Sequence, residues 1–139
     1  MSPGTRTLIS RMTHPTFTVS VAGIITNSEG RVLLLNHVLR PSSGWGLPGG
    51  FIDKGEMPAR AFGREIYEET GIEVEDVAIH SSSTFKRHVE ILFTATTRGE
   101  PRVLSREIYE LGWFHASEIP AEMNHAQQSV IREVLSKRV

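Results

Sequence analysis

The stretch from Gly50 to Ile72, GFIDKGEMPARAFGREIYEETGI, constrains the fold most tightly because it carries its own helix start and stop signals. Pro58 suits a first helical turn, where its missing N–H would have no partner anyway. Gly71 suits the position just past the end, where a left-handed residue closes a helix, and Ile72 can then pack back on Tyr67 or Ile66. A helix between these signals puts Ala59, Phe62, Gly63 and Ile66 on one apolar arc. Glu65, Glu68 and Glu69 fall on an adjacent arc of about 100°. Arg60 and Tyr67 point to solvent or a rim. Gly63 in mid-helix costs roughly 1 kcal/mol against Ala; close packing against a sheet is the expected reason, and plain tolerance the alternative.

The three acids work against that helix. Like charges three and four residues apart repel by about 0.2–0.5 kcal/mol per pair. The C-terminal end is also the negative pole of the helix dipole, which disfavours acids further. A bound cation relieves both penalties. The chain has no cysteine, which removes thiolate sites, disulfides and Cys nucleophiles. Clustered carboxylates without a His pair suit hard cations, Mg²⁺ first and Mn²⁺ second, and such ions usually bind substrate phosphates as well. Taken alone, three acids also make an ordinary solvated helix face.

The surroundings decide between these readings. The segment resembles the Nudix box of the MutT-like hydrolases through Gly50, Glu56, Arg64, Glu65, Ile66, Glu68, Glu69, Gly71 and Ile72, and every defined position matches. The resemblance implies an α/β fold, the Nudix α/β/α sandwich with a mixed β-sheet between helices. It implies a loop–helix–loop that binds divalent metal and cleaves a nucleoside diphosphate linked to another group. By position, Glu65, Glu68 and Glu69 take the roles of metal-binding and water-activating acids, and Arg64 orients them through charge-assisted hydrogen bonds. Glu56 is either an outer partner, a further metal ligand, or an acid at a helix N-terminus. Gly50 allows the backbone to turn closely into the site; Gly49 is equally an ordinary loop residue.

With 139 residues the chain fits one domain, expected over residues 15–139, with residues 1–14 as a tail or an added edge segment. Net charge is −1, which gives no global electrostatic case for nucleic acid. No apolar run approaches membrane-spanning length, and the first residues show no secretory core. The expectation is a cytoplasmic monomer or homodimer acting on a small nucleotide.

Outside the box, Phe17 to Thr26 alternates and is β-rich, and Asn27 to Gly30 makes a turn. Val32 to Leu35 reads as a buried strand, residues 37–44 as a loop, and Trp45 is wedged beside the box. Val74 to Ser83 and Val89 to Thr97 read as strands joined through Phe85-Lys86-Arg87-His88, and Glu110 to His115 as another. Asn124 caps a final helix that buries Ala126, Val130, Ile131, Val134 and Leu135.

Glu107 precedes Trp113 in SREIYELGWF. Nudix proteins often place a further glutamate at this separation from a tryptophan, on a loop facing the box, as metal ligand or base. A mobile loop is expected, standing off from the box without substrate. Glu90 competes for this role, and each is otherwise a plain surface or strand acid. Arg40, Lys86, Arg87 and His88 are candidate phosphate contacts, with Arg40 and Arg87 favoured, and Phe85 or Trp45 candidate base-stacking rings. Metal-assisted hydrolysis follows, with Mg²⁺ or Mn²⁺ as cofactor and Glu65 or Glu107 accepting the water proton. The alternatives are a 5′-end RNA pyrophosphohydrolase and a non-catalytic nucleotide sensor.

Overall fold

A computed structural model describes residues 14–39 and 44–137. Arg40 and most of the expected N-terminal tail lie outside the described residues. The elements are β1 (Thr18–Thr26), β2 (Val32–His37), β3 (Trp45–Gly46), β4 (Gly49–Phe51), α1 (Pro58–Thr70), β5 (Glu75–Phe85), β6 (His88–Thr96), β7 (Ile108–Phe114), a 3₁₀ turn at Ala116–Glu118, and α2 (His125–Ser136).

The strands form one sheet in the order β3-β2-β1-β6-β5, with β4 paired to β1 and β7 to β2. Among the described residues only the central β1–β6 ladder is parallel, from Thr18 opposite His88 to Thr26 opposite Thr96; the other pairings are antiparallel. Strand alternation sorts the core into two layers. Val21, Ile25, Leu33, Leu35 and Phe93 pack with Phe62 and Ile66 of α1. Ala22, Ile24, Val32, Leu34 and Leu92 pack with Ile131 and Val134 of α2. The result is a mixed sheet with α1 on one face and α2 on the other. Because both faces are covered, β1 is buried continuously from Ser20 to Thr26, which its alternating sequence alone does not convey.

The helix signals operate as read. Pro58 opens α1, and Gly71 closes it at φ 76° with its N–H on the Tyr67 carbonyl. The buried face differs by a step. Ala61, Phe62 and Ile66 are buried, whereas Ala59 is exposed. A Cβ on Gly63 would meet nothing within 4 Å, so packing does not explain that glycine. The close approach is made from the sheet instead. A Cβ on Gly23 of β1 would land inside the Phe62 ring, and that ring stacks on Phe93 at 5.0 Å and 12°. In α2, Asn124 caps by accepting the Gln127 N–H at 3.1 Å. Ala126 is exposed and Gln128 buried in its stead, with its amide donating to the Met123 and Ala121 carbonyls. Trp45 packs edge-on against Phe114 at 5.1 Å, beside the α2 layer.

Candidate active site

Arg64 organises the acids at the centre of the box. Its Nε and Nη2 donate to the two Glu56 oxygens at 2.7 and 2.9 Å, a bidentate fork. Its Nη1 donates to Glu65 Oε1 at 3.0 Å and to Glu68 Oε2 at 3.3 Å. Its Nη2 also donates to the Phe51 carbonyl at 3.2 Å, which ties α1 to the end of β4. Asp53 adds a fourth carboxylate at 3.5 Å.

This arrangement separates the acids electrostatically. The Arg64 hydrogen bond, helped by the N–H of Asp53, lowers the Glu56 carboxyl from 4.5 to about 2. Glu65 is pushed up instead. Burial raises it, Arg64 opposes, and the negative charges of Glu68 and Asp53 add to the rise. Arg64 itself is raised, chiefly by Glu56. Glu56 is therefore satisfied by Arg64 and Asp53, whereas at Glu65 burial outweighs the Arg64 bond.

Glu69 is buried at the same helix end and accepts the Gly49 N–H at 3.3 Å. Gly49 and Gly50 belong to a short strand, β4, and not to a loop. A Cβ on Gly49 would collide with the β1 backbone at Val21, and one on Gly50 would land on the Glu65 carboxyl. The absent side chains thus let β4 lie flat on β1 and leave space directly above Glu65.

That space opens into a cleft of about 470 Å³, lined among others by Gly50, Glu65, Glu69, Glu90, Glu107 and Ser20. No Lys or Arg lines it among the described residues. A smaller neighbouring hollow joins Glu65, Glu68 and Glu69 to Glu107. The box acids and Glu107 therefore line the same hollow. The backbone of the segment that carries Glu107 is tethered. The Arg102 and Leu104 N–H groups donate to the Thr70 and Glu69 carbonyls at 2.9 and 3.0 Å, and the Val38 N–H donates to the Glu107 carbonyl at 2.8 Å. These bonds fasten the segment to the end of α1 and to β2.

Other candidates fall differently. Glu90 lines the cleft too, from β6. Arg87 sits at the β5–β6 hairpin tip, outside the cleft lining, with its carbonyl accepting the Thr18 N–H at 2.9 Å. Sequence reading missed Ser20, Phe51 and Gln127 as lining residues. Only the pairing of β1 with β4 and the packing of α2 bring them there. Among the described residues, no three His, Asp or Glu side chains are already gathered into a metal cage. The donor set still suits a hard cation: carboxylate oxygens at the helix end, and a cradle that a Cβ at position 50 would fill.

Comparison with known proteins agrees with this geometry. The NUDIX domain model matches residues 16–134. A MutT-like protein from Streptomyces ambofaciens is 32% identical over 111 residues, covering 78% of this chain and 71% of that protein. An RNA pyrophosphohydrolase from Aeromonas hydrophila is 40% identical over 67 residues, which span 48% of this chain but only 37% of that protein. The crystal structure of a MutT NUDIX hydrolase from Burkholderia pseudomallei superimposes with a TM-score of 0.75 at 32% identity, covering 86% of this chain and 99% of that one. The chain belongs to the NUDIX domain family of hydrolases, enzymes that cleave pyrophosphate bonds in nucleoside diphosphate derivatives.

Proposed function

We propose that this chain hydrolyses a nucleoside diphosphate linked to a second group, in the presence of Mg²⁺ or Mn²⁺, releasing a nucleoside monophosphate. The observation that carries this reading is the cleft itself: it gathers Glu65, Glu69 and Glu107 and offers a phosphate no Lys or Arg among the described residues. A polyphosphate can enter such a site only with a cation. When bound, a divalent ion supplies charge neutralisation at the phosphates and acidity to a water.

The chain's own groups then divide the work. Glu65 and Glu69 would be the principal ligands, with Glu68 at the exposed rim. Arg64 holds Glu65 from one side, and the Gly49 N–H fixes Glu69. Glu56, with both oxygens on Arg64, acts through that arginine as a positioning residue and not as a ligand. Glu107 accepts the proton of the attacking water, because its carboxylate comes from across the cleft and is not engaged by Arg64. A panel of nucleotide sugars, dinucleotides and nucleoside triphosphates, scored for phosphate-containing products, tests the proposal. Turnover is expected with Mg²⁺ or Mn²⁺ and none in excess chelator. Full turnover in chelator would remove the mechanism.

A further inference from the structure

The edge of the cleft at Ser20 and Phe51 continues outward as a row of rings that the hydrolysis does not use. Phe85 of β5 lies directly opposite His88 of β6, His88 opposite Thr18 of β1, and Ser20 of β1 opposite Phe51 of β4. Directly opposed residues share a sheet face, so the row runs across four strands on one side. His88 is locked in the middle. Its Nδ1 and Nε2 lie 2.6 and 2.8 Å from the Thr18 and Ser20 hydroxyls, and its ring meets Phe51 edge-on at 5.9 Å. The outer rings are not buried. Phe51 is 62% exposed and Phe85 75% exposed. At the far end the Lys86 ammonium lies 5.5 Å from the Phe85 ring centre, and Arg87 follows at the hairpin tip.

Phe51 and Phe85 are the exposed rings of the row, and neither belongs to the two core layers. Three strand spacings from Phe85 to Phe51 span about 14 Å, longer than one purine ring system. The inner end, Ser20 and Phe51, belongs to the cleft; the outer end lies beyond it. We propose that Phe85 and His88 form a stacking site for a second nucleobase, in a substrate that places its first nucleoside against Ser20 and Phe51. Base stacking on aromatic rings is worth about 1–3 kcal/mol per base. Lys86, beside the Phe85 ring, would add a cation next to the second base. Two substrates share this chemistry: a dinucleoside polyphosphate joined 5′ to 5′, and a 5′-triphosphorylated oligonucleotide.

This inference rests on the hydrolytic reading above, and the experiment separates the two. kcat/KM is compared for ATP, diadenosine triphosphate and the 5′-triphosphorylated dinucleotide pppApA, each with Mg²⁺. At least one two-base substrate should exceed ATP by tenfold or more, and which one does so identifies the source. Phe85→Ala should reduce that ratio to about one, and Phe85→Trp should restore it. Binding is read without turnover from a methylene-bridged analogue carrying 2-aminopurine as its second base. Its fluorescence should be quenched by the wild-type protein and not by Phe85→Ala. Equal kcat/KM for all three substrates, or a Phe85→Ala loss shared equally by ATP, would overturn the second-base site. If no nucleotide is hydrolysed the reaction assignment fails, and the quenching measurement still decides whether a second base stacks here.

Discussion

Single residues set both the stability and the chemistry of the box, and they separate cleanly by pH. Glu56 is held at about 2 by Arg64 and the Asp53 N–H, against an ordinary 4.5. A carboxyl lowered in the folded state stabilises the fold above its unfolded value and loses that contribution as pH falls through the folded one. The wild-type melting temperature should therefore fall between pH 4.5 and 2 more steeply than that of Glu56→Gln, as thermal unfolding across an acid pH series would show. Parallel curves would mean that the Arg64–Glu56 fork contributes nothing in solution. The choice of base is also a residue-scale question. Glu107→Gln should lower kcat more than tenfold with little change in melting temperature, a loss of at least about 1.4 kcal/mol in transition-state stabilisation. Glu90→Gln should do much less with a one-base substrate. The reverse ranking in side-by-side kinetics would place the base on β6. The sequence made the acids legible because their spacing is local to one helix. It did not show that Glu56 is consumed by Arg64, since that fork depends on where the turn after β4 delivers its carboxylate.

At the scale of elements, the legible features were those with local causes. Pro58 and Gly71 bound α1 and Asn124 starts α2, because caps act within one turn. What the sequence misassigned was the partner of a close approach. A glycine in a helix and one in a strand look equally like packing devices until the sheet order is known. Here Gly23 lies beneath Phe62, whereas the space beside Gly63 is open. The Glu107 segment holds backbone bonds that its sequence does not announce, for a related reason. Its polar composition suggested a free loop, yet its backbone satisfies the carbonyls left over at the end of α1. The glycine assignment has a direct consequence. Gly63→Ala adds no clash and removes unfolded-chain entropy, so it should stabilise the protein by about 0.5–1 kcal/mol, whereas Gly23→Ala should destabilise it. Denaturant unfolding of both variants measures this. A destabilised Gly63→Ala would mean that the helix must bend at that position.

For the whole molecule, the cluster of acids couples metal binding to folding. The apo protein bears the repulsion among Glu65, Glu68 and Glu69, the unfavourable helix end, and the burial that raises Glu65. An ion that binds only the folded state stabilises it in proportion to the logarithm of its saturation, by about 2.7 kcal/mol at one hundred times Kd. Mg²⁺ should therefore raise the melting temperature by several degrees, while an equal concentration of a monovalent salt should not. Glu69→Gln keeps the size of the side chain and an oxygen to accept the Gly49 N–H, but removes one of the repelling charges. In chelator this variant should melt at or above the wild-type temperature; with Mg²⁺ it should gain less. The two proteins should thus cross, the variant being the more stable without metal and the wild type with it. A merely acidic surface would give the variant the same Mg²⁺ response as the wild type. A purely structural Glu69 would make the variant less stable in both conditions. Crossing curves are expected only if the chain trades apo stability at the end of α1 for a place to hold a cation.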